Sequence, residues 1–104
     1  MKQLAVIIAP IVQYQIDQQV LYIAQDSIDN ALAWENRVRE AIEDIGKISG
    51  HAIDQQASSR FGYTVRKVVF ERTYIIHYWI DESAGAVRVI NFRHGTRLPR
   101  SGEP

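Results

Sequence analysis

The spacing of apolar residues changes once along this chain, and that change limits what it can fold into more than any other feature. Val12, Ile16, Val20, Ile23 and Ala24 recur at helical spacing, as do Ile28, Ala31, Trp34, Val38, Ala41, Ile42, Ile45 and Ile48. Beyond residue 62 the pattern alternates, which predicts strands over 63–70, 73–80 and 86–93. Before the helical block, the continuous run Leu4–Ala9 reads as a buried strand that Pro10 ends. The predicted order is β-α-α-β-β-β, an α+β domain with a helical hairpin on one face of a four-stranded, mainly antiparallel sheet.

Local chemistry sets the boundaries. Pro10 suits the first turn of a helix over about 11–25. Ser27 is a good cap for the second helix, with Asp29 in its first turn and Gly50 just past its end. The link between the helices is very short, so they form an antiparallel hairpin. Residues 49–61 carry no period and read as a loop. Glu71-Arg72 makes a tight turn, and residues 81–85 a five-residue one. With 104 residues the chain is one domain over 1–97, followed by a flexible tail over 98–104.

The second strand raises a question about the sheet. Tyr74, Ile76, Tyr78 and Ile80 point one way; Thr73, Ile75, His77 and Trp79 point the other and are hardly polar. Two helices cover one face. Ile75 and Trp79 are therefore expected on an exposed apolar patch that takes a partner, unless a loop or the tail lies over it.

Several chemistries are excluded. There is no cysteine, hence no disulfide and no cysteine-based zinc site. His51, His77 and His94 are not at metal-ligand spacing, so no metal is expected. No glycine-rich phosphate loop and no G-x-S-x-G appear. No apolar stretch approaches ~18 residues, so no membrane span is expected. The Leu4–Val12 run is broken by Pro10 and lacks a small-residue cleavage site, which makes a cytoplasmic protein the expectation.

The net charge of zero conceals an asymmetry. Residues 1–59 hold four basic and eight acidic residues, a balance of −4; residues 60–104 hold eight basic and four acidic, a balance of +4. The basic half suits a nucleic acid, an acidic peptide or an acidic protein surface. Its strands carry Arg66, Lys67, Arg72, Arg88, Arg93, His94 and Arg97. Arginines hold phosphates in bidentate fashion, and a histidine near neutrality passes protons. Metal-free RNA cleavage needs such a set: a base for the 2′-hydroxyl, cations for the phosphorane, an acid for the leaving oxygen. Basic residues on strands more often form a solvated face. His77, flanked by Ile76 and Tyr78, reads as a hydrogen-bonded packing residue.

Three segments carry a family resemblance: "LYIAQDSIDNALAWENRVREAIEDI" (21–45), "GYTVRKVVFERTYIIHYWID" (62–81) and "VRVINFRHGTR" (87–97). Tyr22-Ile23-Ala24, Ser27 and Ala31, then Tyr74, Ile76 and Tyr78, then His94-Gly95 and Arg97 occur in the order seen in bacterial ParE/RelE toxins, also labelled plasmid stabilisation proteins. Ile28 stands where that family usually has proline. The resemblance implies the toxin of a type II toxin–antitoxin system with no cofactor. RelE-like members are ribosome-dependent mRNA endoribonucleases, and that branch implies Arg66, Arg88, Arg93 and His94 as catalytic residues. ParE-like members are similar to poisons of DNA gyrase. The His94-Gly95-x-Arg97 ending, with no tyrosine after Arg97, looks like the ParE branch. The implied partners are a cognate antitoxin and gyrase, or the ribosome and mRNA, in a homodimer or toxin–antitoxin hetero-oligomer. Ile75, Trp79, Arg93, His94 and Arg97 are the implied contacts to target or antitoxin. A degenerate toxin that kept the fold and lost activity is the remaining alternative.

Overall fold

The computed structural model describes residues 3–48 and 50–95. Seven elements follow in order: β1 (Ala5–Ile8), α1 (Pro10–Ala24), α2 (Ile28–Lys47), α3 (Gln55–Phe61), β2 (Arg66–Phe70), β3 (Tyr74–Asp81) and β4 (Ala86–His94). The four strands form one mixed sheet in the order β1-β4-β3-β2. β2, β3 and β4 are antiparallel neighbours, while β1 runs parallel to β4. The proposed tail, with Arg97, lies outside the described residues.

The two long helices start and stop as their sequence dictates. Pro10 opens α1, and the Ser27 hydroxyl accepts from the Asn30 amide at 3.1 Å to cap α2. Val12 and Ile16 of α1 and Ala31, Trp34, Val38, Ile42 and Ile45 of α2 are buried, and only the ends of the second stripe, Ile28 and Ile48, stay exposed. Trp34 sits at the centre of the layer between helices and sheet, with ring centroids 6.2 Å from Phe70, 5.4 Å from Tyr74 and 5.9 Å from Phe92. Gly46 brings β1 against the end of α2: the Leu4 amide donates to the Gly46 carbonyl at 2.9 Å.

The β2–β3 turn is tight, with φ of 53° at Glu71 and 59° at Arg72. Left-handed backbone at two consecutive residues matches the twist of an antiparallel hairpin, which Asn-Gly normally supplies. The Arg37 Nε–Glu71 Oε2 ion pair, at 2.6 Å, ties this turn to α2.

Three expectations are corrected. First, the Leu4–Ala9 run is not a buried strand. β1 is a four-residue edge, with Ile7 and Ile8 40% and 37% exposed, because Pro10 turns the chain into α1 before another strand can flank it. Second, the 49–61 loop contains α3, capped by Asp54 and closed by Gly62 in the left-handed conformation at φ 80°. Seven residues are too few for an amphipathic period to show in sequence. Third, the second hairpin turn is four residues, 82–85, because Asp81 still pairs with Ala86.

α3 and the segment before it settle what lies on the second sheet face. Residues 52–54 run along the outer edge of β2: the Lys67 amide donates to the Ala52 carbonyl at 3.0 Å and the Asp54 amide to the Val65 carbonyl at 2.8 Å. Asp54 then reaches His77, which is 1% exposed. Tyr63 stacks on Trp79 with centroids 4.1 Å apart and planes at 9°. Trp79 therefore lies under Tyr63, and both Ile75 and Trp79 are half-buried rather than an open patch.

Candidate protein-contact site

β4 outlasts its neighbour. β1 pairs only with Ala86–Val89, and the Ala9 amide donating to the Val89 carbonyl at 3.0 Å is the last contact of that kind. A register shift follows: Tyr78 lies opposite Val89 and His77 opposite Asn91, leaving Ile90 as an extra residue. Such a bulge bends a strand and re-aims its side chains. Beyond it, among the described residues, no strand flanks Ile90–His94 on the β1 side. α1 lies there instead.

Between α1 and the end of β4 runs a groove of about 370 Å³. Tyr14, Gln18 and Tyr22 of α1 form one wall; Tyr74, Arg93 and His94 of the sheet form the other. The His94 ring meets the edge of Tyr74 at 5.3 Å. Among the described residues, no acidic side chain lines this groove. The outer side of α1 adds Ile11, Tyr14, Leu21 and Tyr22, exposed at 54%, 59%, 61% and 64%. These large, largely apolar side chains beside the Arg93 guanidinium form a surface with the make-up of a protein interface.

The residues singled out by sequence do not all meet. Arg93 lies opposite Ile75 and His94 opposite Tyr74, while Arg88 lies opposite Trp79 at the far end of β4. Arg88 and Arg93 are five steps apart along the strand, roughly 16 Å of backbone. Arg66 is opposite Tyr78 on β2, across β3. Both remote arginines are committed to neighbours. The Arg66 guanidinium donates to the His51 carbonyl at 2.6 Å, and Arg88 Nε donates to Asp81 at 2.7 Å across the base of the hairpin. That hydrogen bond holds the Asp81 carboxyl below its ordinary pKa. Arg93 and His94 both line the groove, but Arg93, opposite Ile75, shares its strand face with Ile75 and Trp79, whereas His94 shares that of Tyr74.

His77 is the hydrogen-bonded packing residue that the sequence predicts, but its partners are not legible there. Asp54 Oδ2 accepts from His77 Nε2 at 2.9 Å, and Asp54 Oδ1 accepts from the Ala57 amide at 3.0 Å. His77 Nδ1 meets Asn91 Nδ2 at 3.2 Å. Asn91 Oδ1 accepts from Gln15 Nε2 at 3.3 Å, and Gln15 Oε1 accepts from the Phe92 amide at 3.0 Å. Burial pushes the His77 pKa down, with help from Arg93 and Arg60, against the opposing pull of Asp54. Burial also opposes ionisation of Asp54, but the Ala57 amide, the His77 hydrogen bond and the charges of His77 and Lys67 prevail and keep its pKa low. The one available signal was His77 itself, since a histidine on a buried strand needs partners. Beside it, the buried Tyr78 hydroxyl lies 2.7 Å from His51 Nδ1, and burial raises its pKa against the His51 amide and Arg66.

Among the described residues, no three His, Asp or Glu side chains converge as a metal site would require. No described helix is long and apolar enough to cross a membrane. No protein-family model matches the chain, and no curated protein is significantly similar to it.

Proposed function

We propose that this chain is the toxin of a type II toxin–antitoxin module, acting in the cytoplasm by protein–protein contact with DNA gyrase and neutralised by a cognate antitoxin. The observation that carries this reading is the separation of the basic residues. Arg66 and Arg88 are tied to His51 and Asp81, far from Arg93 and His94, so the four do not form one phosphate-cleaving centre. The α1 face beside Arg93 and His94 instead offers apolar area with a cationic rim. The order of a helical hairpin followed by a three-stranded meander agrees with the resemblance in the sequence. The test is a gyrase reaction with purified chain: accumulated cleaved DNA or loss of supercoiling is expected, and an Arg93→Ala, His94→Ala double variant should weaken it. Undisturbed supercoiling by folded protein would refute the proposal.

A ribosome-dependent mRNA endoribonuclease is the second reading. It is favoured by one observation: Arg93 and His94 share their groove with Tyr14, Tyr22 and Tyr74. Primer extension on a translated message would then show new 5′ ends that His94→Ala abolishes.

A further inference from the structure

The hydrogen bonds through His77 all run in one direction. Asp54 is a carboxylate at one end and only accepts. The Phe92 amide at the other end only donates. Between them, Phe92 N–H donates to Gln15, Gln15 to Asn91, Asn91 to His77 and His77 to Asp54. The two fixed ends require the neutral Nε2–H tautomer of His77, with Nδ1 accepting. The line starts at the cap of α3, crosses β3 and β4, and ends where α1 covers the edge of β4 that β1 leaves unpaired.

We propose that this line is a proton-operated latch between α1 and the sheet, in which a proton on His77 releases the Phe92 amide from Gln15. A second ring proton places Nδ1–H against the Asn91 amide nitrogen, donor against donor. A half-turn of the Asn91 amide group relieves this by presenting Oδ1 to the ring. Asn91 Nδ2 then faces Gln15 Nε2, and Gln15 must turn in the same way. That turn puts Gln15 Nε2 against the Phe92 N–H, which loses its acceptor. The charged groups around the ring are Asp54 at the cap of α3, Arg60 on α3, Arg93 on β4 and, on β2, Lys67, which lies opposite His77 and acts on Asp54. Burial, with Arg93 and Arg60, outweighs Asp54 and lowers the His77 pKa, so the ring is neutral and the Phe92 amide held at neutral pH.

The test is the hydrogen exchange of the Phe92 amide against pH, corrected for the intrinsic rate, with ¹⁵N shifts of the His77 ring. The shifts should show the Nε2–H tautomer at neutral pH. Exchange at Phe92 should rise about tenfold per pH unit as pH falls towards the His77 pKa, then level off. Gln15→Glu separates this mechanism from general loosening. A carboxylate accepts through either oxygen, so Phe92 should stay protected at all pH, and His77 should titrate at higher pH because Asn91 Oδ1 now faces an acceptor. A profile at Phe92 that is flat, that rises only with every other amide, or that is unchanged in Gln15→Glu would overturn the proposal. So would an Nδ1–H tautomer at neutral pH.

Discussion

Replacing Gly46 by alanine tests how β1 is held. In an exposed helix that change stabilises by about 1 kcal/mol, since glycine is the poorer helix former. Gly46 is buried, however, and a Cβ there would lie 2.5 Å from the Leu4 carbonyl oxygen and 2.9 Å from Val6 Cγ2. The nearer atom belongs to the backbone, so no side-chain rotation relieves the clash, and β1 must move away from α2. Forcing a methyl group into a packed contact costs about 1–3 kcal/mol. The displacement also weakens the Leu4 N–H to Gly46 carbonyl bond, at a cost of about 1 kcal/mol. The net expectation is a loss of about 1–3 kcal/mol, or a fall in Tm of roughly 5–15 °C for a domain of this size. Thermal and urea unfolding by circular dichroism measure it. Gly50→Ala is the control, because a Cβ there meets nothing within 4 Å, and its stability should hold or rise. A Gly46→Ala protein as stable as the parent would show that β1 shifts freely, and the argument would fail.

Other perturbations follow from the same geometry. Arg72→Gly should stabilise by about 1 kcal/mol, because Arg72 sits at φ 59°, where a side chain is strained; a lower urea midpoint would contradict this. Because the His77 pKa is lowered on folding, the unfolded chain takes up its proton first; stability should be full above about 6.5, the ordinary histidine value, and decline as pH falls below it. Urea midpoints at pH 7.5 and 5.5 that coincide would contradict the buried neutral histidine. A further loss should follow at pH below the ordinary carboxylate range as Asp54, held ionised in the fold, takes up its proton. Tyr63→Ala should remove a stacked pair worth about 1 kcal/mol and open Trp79 to acrylamide quenching; unchanged quenching would show that Tyr63 does not cover it.

The sequence by itself determined what acts over a few residues. The helical stripe from Ile28 to Ile48, the Ser27 cap and Pro10 at the head of α1 are local, and each acts where its chemistry puts it; the Glu71-Arg72 turn is local too, although it holds two non-glycine residues at positive φ. The pairing of β2 with β3 and of β3 with β4 followed, since short turns leave antiparallel neighbours no other arrangement. Tertiary structure decided the rest. β1 crosses over to run parallel with β4, and a six-residue apolar run does not reveal that it will be an edge. α3 is held by its Asp54 cap and by contacts from distant strands, so no period in residues 49–61 announces it. The separation of Arg66 and Arg88 from Arg93 and His94 is a matter of register across three strands. The line from Asp54 to Phe92 joins residues 23, 14 and 76 positions apart, and no local pattern connects them. Its members meet because a bulge in β4 turns Asn91 towards His77 while α1 fills the edge that β1 abandons at Ala9.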